Sequence, residues 1–219
     1  MVIGHYLPSF AAERVEKHIS LWLLFLAAQW IDVVWAVLII SGIEKVGVVQ
    51  GIAGDNILDN YYIPFTHSLP GAMVLSCLAF IIFKLVRKSG REAWIFSLVV
   101  FSHWLFDLVS HRPDLPLWGN SHKVGLGLSS LPIADLGVQV SLFLIGIALY
   151  VRSTTPVSKI GKYGIAVFAL LMMLLQAVIA LPLEPSSPQR IGISMLIIYF
   201  SATAAVFWIE KNRKPKTLA

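Results

Sequence analysis

The sequence predicts an all-α, polytopic membrane bundle of about six transmembrane helices, and three observations carry that expectation. Hydrophobic side chains make up 57% of the 219 residues and charged ones only 13%, far from the roughly 25% charged residues of soluble domains. The apolar residues fall in blocks of about twenty, the length a helix rising 1.5 Å per residue needs to cross a hydrocarbon core of about 30 Å. Lysine and arginine are also sorted unevenly among the segments between these blocks, as in chains threaded through a bilayer.

In chain order, the spans are expected near 20–41, 67–84, 92–112, 132–151, 163–182 and 191–210, within one domain covering 1–219. The second is the shortest, the third contains two ionisable groups, and the fifth, YGIAVFALLMMLLQAVIALP, is the plainest. Loops 42–66 and 113–131 are longer than the others. Ahead of the first span, residues 9–19 have the pattern of a short amphipathic helix, with Glu13, Arg14, Glu16 and Lys17 expected to face water. The opening residues lack the basic-then-apolar order and small-residue cleavage site of a secretory signal. The lone cysteine, Cys77, lies in an apolar stretch, so an intramolecular disulfide is excluded.

Thirteen lysines and arginines fall in the segments assigned to one side, including Arg14, Lys17, Arg87, Arg91, Lys159 and Lys214. Only Lys45, Arg112, Lys123 and Arg190 fall on the other. The positive-inside rule then predicts a multi-pass protein of the plasma membrane with both termini cytoplasmic. The net charge of +5 is accounted for by this sorting, so the basic tail KNRKPK reads as a topology anchor touching anionic lipid and no nucleic-acid partner is expected.

Ionisable side chains at membrane depth cost about 2.5–3.5 kcal/mol each on insertion scales, so each requires a partner or a purpose. Asp32 lies in AAQWIDVVWAV, Asp107 in FSHWLFDLVSH and Asp135 in PIADLG. His103, Asp107 and His111 recur at intervals of four and share one helix face. Two imidazoles and a carboxylate suit zinc or a similar divalent cation. All three reach one ion only if the helix breaks, and Pro113 supplies a candidate break. Counting from the span ends places Asp32 and His103 at a common depth of about 13–14 Å and Asp107 at about 7 Å. His67, in YYIPFTHSLPG, begins the second span near His111, and Thr66 and Ser68 are placed to orient its ring. Spacing alone leaves two readings open: a metal site, or an i, i+4 pair that neutralises itself within a helix bundle.

The order of motifs, GHY at 4–6, AAQWID at 27–32, THS at 66–68 and H-x-x-x-D at 103–107, resembles the bacterial inner-membrane family of inferred metal-dependent hydrolases, the YdjM-like group. The likeness covers roughly residues 1–130. It resembles most a branch with SHWLFDLVSHRPDLPL followed by KVGLGL, here at 102–117 and 123–128, whose members are often labelled permeases or hydrolases. The resemblance implies a divalent-metal site using His67, His103 and Asp107, with Asp32 as a further candidate. Better-known members carry HRG before THS, where this chain has YIPF; His111 is the expected substitute for that histidine. His5 of GHY also resembles a family position, and either it is no ligand or residues 1–19 fold into the membrane.

The expected chemistry is hydrolysis of an ester or phosphoester of a lipid or other substrate at the non-cytoplasmic face by a metal-activated water. Asp32 and Asp107 are the catalytic candidates, with Asp114 an alternative base. His67, His103, Asp107 and His111 are the expected metal ligands, and Arg112 and Lys123 are placed either to clamp an anionic substrate or to contact lipid headgroups. The competing expectation is a transporter in which Asp32, His103 and Asp107 relay an ion or proton. Glycines 125 and 127 lack the context of a nucleotide loop and read as loop flexibility.

Overall fold

A computed structural model describes residues 2–48, 58–179, 181 and 187–216. Residues 49–57 of the first long loop, and 180 and 182 at the end of the fifth expected span, lie outside the described residues.

The expected helical bundle is present. A 3-10 turn at Gly4–Tyr6 leads into α1 (Leu7–Val15), followed by α2 (Leu21–Ala28) and α3 (Trp30–Ile40). Then come α4 (Leu69–Arg87), α5 (Gly90–Ser110), α6 (Pro132–Ser153), α7 (Lys159–Ile179) and α8 (Pro188–Glu210). The last five are each long and apolar enough to cross a membrane, and α2 with α3, bent by 50° at their junction, passes the same test as a pair, which gives six if that pair is one span. Serines 68, 89 and 187 cap α4, α5 and α8 by accepting backbone N–H groups, which fixes the starts of these helices. Large apolar side chains point outward along the helices, among them Val74, Leu78 and Ile82 on α4 and Leu170, Leu171 and Leu174 on α7. An apolar exterior around a core containing buried polar groups is the arrangement a lipid environment favours.

The segment before the first span departs most from expectation. It does not lie along the surface: α1 packs against α6, α2 and α5 within the bundle, and Glu13 and Glu16 are buried. Glu13 pairs with Lys17 at 3.0 Å and Glu16 with Arg91 at 3.0 Å, so the carboxylates face partners while Arg14 and Lys17 remain exposed. From that basic end the segment runs inward, and Val2 and Ile3 lie deep among the spans. Three glutamines receive them: Val2 N–H donates to Gln139, Ile3 N–H to Gln176, and Gln29 donates to the Val2 carbonyl. The first residues therefore stand inside the bundle instead of at the basic end. The chain reverses between Glu16 and Ser20, so α1 and α2 run antiparallel, with Ser9 bonded to the Leu24 carbonyl and Gln29 to that of Val2, and the rise of α1 carries His5 inside.

Arg87, Arg91, Arg213 and Lys214 meet at the same end as Arg14 and Lys17. Arg87 donates to the His18 carbonyl, Arg91 pairs with Glu16, and the short strands β5 (Thr154–Pro156) and β6 (Arg213–Pro215) pair antiparallel beside them. At the opposite end, β1 (Lys45–Val48) pairs with β2 (Leu58–Tyr62), and β3 (Leu115–Trp118) with β4 (Ser121–Val124). Asn120 ties these two hairpins together, accepting from Ile63 N–H at 3.2 Å and donating to the Tyr61 carbonyl at 2.7 Å.

Candidate metal centre

Under the two hairpins, the ionisable residues of four separate segments converge. His5 comes from the N-terminal turn, Asp32 from α3, His67 from the residue before the α4 cap, and His103 and Asp107 from α5. His5, His67, His103 and Asp107 are 1–4% exposed. The Asp32 side chain is 14% exposed and that of His111 is 18% exposed, so the cluster opens on that side.

Two carboxylates face three imidazole nitrogens. His67 Nε2 lies 3.2 Å from Asp32 Oδ1 and 3.6 Å from Asp107 Oδ2. His103 Nε2 lies 3.3 Å from Asp32 Oδ1 and 3.1 Å from Asp107 Oδ2. Donors bound tetrahedrally at about 2.0–2.1 Å from one ion stand about 3.3 Å apart, so these separations are compatible with a shared metal ion. His5 Nε2 lies 3.2 Å from the other oxygen of Asp107. Two sets, His5–His103–Asp107 and Asp32–His67–His103, bring their donor atoms within 4.8 Å of one another. A buried His/Asp group that could hold a metal ion is therefore present.

Outer contacts set which nitrogen of each ring carries a proton. His103 Nδ1 lies 2.7 Å from the Ala28 carbonyl, which can only accept, so Nδ1 is the donor and Nε2 faces the carboxylates. That carbonyl is available because the helix breaks between α2 and α3. Thr66 donates its hydroxyl proton to Glu44 at 2.6 Å and meets His67 Nδ1 at 2.9 Å. With its proton so used, Thr66 accepts from Nδ1–H, and His67 Nε2 also faces inward. Glu44 is held in turn by the backbone N–H groups of Phe65 and Thr66. Asp32 is oriented by Tyr199 of α8, whose hydroxyl donates to Oδ2 at 2.5 Å, leaving Oδ1 towards the imidazoles. Carboxylate, hydroxyl and carbonyl partners behind the ligands are the usual means of aiming a metal site.

The sequence-predicted residues divide accordingly. His67, His103, Asp107 and Asp32 meet, with Asp32 and His103 at one level. Thr66 orients His67 as expected, whereas Ser68 caps α4 and donates to the Pro64 carbonyl. α5 ends at Ser110, and His111 leaves in an extended conformation. His111 therefore stands at the margin: Nε2 is 3.7 Å from Asp107 Oδ1, and Nδ1 is held by Asp114 at 2.8 Å. It is His5, brought in by the buried N-terminal segment, that occupies the closer position. The Lys123 ammonium donates to the carbonyls of Asn60 at 2.8 Å and Tyr61 at 3.4 Å. Arg112 Nε faces Asp114 at 3.4 Å. Gly125 abuts the carbonyls of His111 and Arg112 closely enough to exclude any Cβ, and Gly127 N–H donates to the His111 carbonyl at 2.7 Å. These glycines fix the exit of α5, in contrast to the loop flexibility expected of them.

Glu44, Tyr199 and the three glutamines are not apparent from motif spacing. Gln29, Gln139 and Gln176 did carry a signal, since amides inside apolar spans require hydrogen-bond partners. No family model matches this chain, and no curated protein or solved structure matches it.

Proposed function

We propose that this chain is a metal-dependent hydrolase of the bacterial inner membrane, as its resemblance to the YdjM-like group implies. The observation that carries the reading is the pair of inward-facing Nε2 atoms of His67 and His103 set against two carboxylates. With Nδ1–H committed to Thr66 and the Ala28 carbonyl, each Nε2 requires either a second proton or a cation between it and Asp32 or Asp107. The rings of His67 and His103 are inclined at 73° with centroids 5.9 Å apart, so their lone pairs can converge on one ion, and borderline nitrogen and hard oxygen donors together suit zinc.

A bound divalent ion would supply a water acidic enough to ionise near neutral pH and would polarise the scissile group. The chain's own residues do the rest. Asp32, half-turned to the open side and held by Tyr199, takes the proton of the attacking water. Water oxygen bonds to the substrate's carbonyl carbon or phosphorus, the ester bond breaks, and the leaving oxygen recovers a proton. Asp107 remains buried and ionised, balancing the positive charge. The substrate is an ester or phosphoester of a lipid or anionic small molecule reaching the end of the bundle opposite the basic residues, the non-cytoplasmic face.

A transport relay is disfavoured by the aromatic layer towards the basic end. Tyr6 stacks on Phe25 at 4.1 Å, and Phe10, Phe143 and Phe168 continue the contact. Among the described residues these rings form one continuous aromatic layer. The test is metal analysis of detergent-purified protein followed by assay on chromogenic ester and phosphoester substrates. The expected result is stoichiometric metal, lost in His103→Ala and Asp107→Ala, with hydrolysis abolished by chelator and restored by zinc. Metal-free wild type, or Asp32-dependent proton flux in reconstituted vesicles without hydrolysis, would overturn the reading.

A further inference from the structure

His5 is the part of the cluster that one ion does not explain. It is 1% exposed; among the described residues its Nδ1 has no hydrogen-bond partner, and its Nε2 faces the Asp107 carboxylate at 3.2 Å. A buried ring nitrogen without a partner carries the desolvation penalty of a polar atom. Its ring is stacked on that of His103, with centroids 4.0 Å apart and planes inclined by only 23°. An imidazole binds a cation along a lone pair lying in its own ring plane. Two stacked, nearly parallel rings have planes that meet far beyond bonding distance of either nitrogen, so they cannot both address the same ion.

The two nitrogens instead address different oxygens of one carboxylate. His103 Nε2 faces Asp107 Oδ2 at 3.1 Å, while His5 Nε2 faces Asp107 Oδ1 at 3.2 Å. His111 Nε2 approaches that same Oδ1 at 3.7 Å, with its Nδ1 fixed by Asp114. We propose that Asp107 bridges two divalent cations, one held with His67 and His103 beside the base Asp32 and the other with His5 and His111, and that the centre acts on a phosphoester. The 4.0 Å stacking distance of His5 on His103 sets the spacing, since parallel lone pairs carry the separation of the rings to the ions. Paired cations about 3.5–4 Å apart are the arrangement that binds both the attacking and the leaving oxygen of an in-line phosphoryl displacement. In that step water oxygen bonds to phosphorus, the phosphorus–oxygen ester bond breaks with its electron pair, and the released alkoxide takes a proton.

This inference rests on the hydrolase reading but has its own test. Purified full-length protein, stripped with chelator and reloaded with Mn²⁺, is examined by metal analysis and electron paramagnetic resonance. Two manganese ions per chain with an exchange-coupled spectrum are expected, and inorganic phosphate is expected to change the coupling. His5→Gln and His111→Gln should each leave one ion with an isolated-ion spectrum, the retained ion showing that the variant is folded. One ion per chain in wild type with an isolated-ion spectrum overturns the second site while leaving the hydrolase reading standing; no bound ion removes both. A coupled pair that survives both substitutions overturns the assignment to His5 and His111, and a coupled spectrum indifferent to phosphate overturns the phosphoester class. The wild-type spectrum decides the bridging even if one variant fails to fold.

Discussion

The Nδ1 atom of His103 meets the carbonyl oxygen of Ala28 at 2.7 Å across the interface between α5 and the first span. In an unbroken helix that carbonyl would accept a bond from the residue four positions on. The 50° bend between α2 and α3 releases it, so the same discontinuity that turns Asp32 towards α5 also fixes the proton of His103. Tertiary architecture and ligand chemistry are linked here through a single peptide group.

Thr66 holds the equivalent position behind His67. Replacing it with valine preserves shape and removes the hydroxyl that connects Glu44 to the ring. Partners behind metal ligands are worth about 10–100-fold in affinity, so Thr66→Val is expected to weaken cation binding by that factor in chelator competition. Thr66→Ser should recover most of it. Unchanged affinity in the valine variant would show that His67 needs no orientation.

Tyr199 acts on Asp32 from α8 through a 2.5 Å hydrogen bond. A hydrogen bond to a charged group is worth about 1.5–3 kcal/mol, at least about tenfold in an equilibrium. Tyr199→Phe is therefore expected to lower both metal affinity and the hydrolytic rate by about tenfold or more, with the elution profile of the purified protein unchanged. A variant with wild-type affinity and rate would remove Tyr199 from the site.

How far the sequence foretells this arrangement depends on the scale of the interaction. The six spans were legible because length and hydropathy are local, and their observed bounds differ from expectation mainly at the ends, as at Arg87 against 84. The meeting of Asp32 with His103 was also legible, because helical rise converts residue counts into depth. The position of His5 was not. Residues 1–19 are short and carry Glu13, Arg14, Glu16 and Lys17, which locally favours a surface helix. Their burial is decided by distant partners, namely Gln139, Gln176 and Arg91. The helix break at Gln29 is similarly hidden, since no proline or glycine marks it.

Gly146 makes the buried N-terminal helix possible. A Cβ there would collide with the Phe10 ring, so α1 can approach α6 only over a glycine. Gly146→Ala is expected to destabilise the protein by about 1–3 kcal/mol, the usual cost of overpacking, and to draw His5 away from Asp107. Thermal unfolding in detergent measures the first effect and metal content the second. Adding Phe10→Leu should relieve both by making room, and the absence of any rescue would show that the damage lies elsewhere.

Asp114 lies beyond the end of α5, where burial raises its carboxyl pKa but the imidazole of His111 and the guanidinium of Arg112 outweigh that effect and hold it below the usual value. A group with a depressed folded-state pKa binds its proton more readily in the unfolded chain, whose carboxylates titrate near about 3.9. Its contribution to stability is therefore fully present above that range and is lost as the pH falls through the lower, folded value. Metal-stripped wild type is expected to lose thermal stability on acidification below about pH 4, as this pair is discharged. Asp114→Asn should be less stable near neutral pH and show a shallower acid limb, because the amide cannot titrate. Parallel acid limbs in the two proteins would mean that the pairing with His111 and Arg112 does not persist in solution.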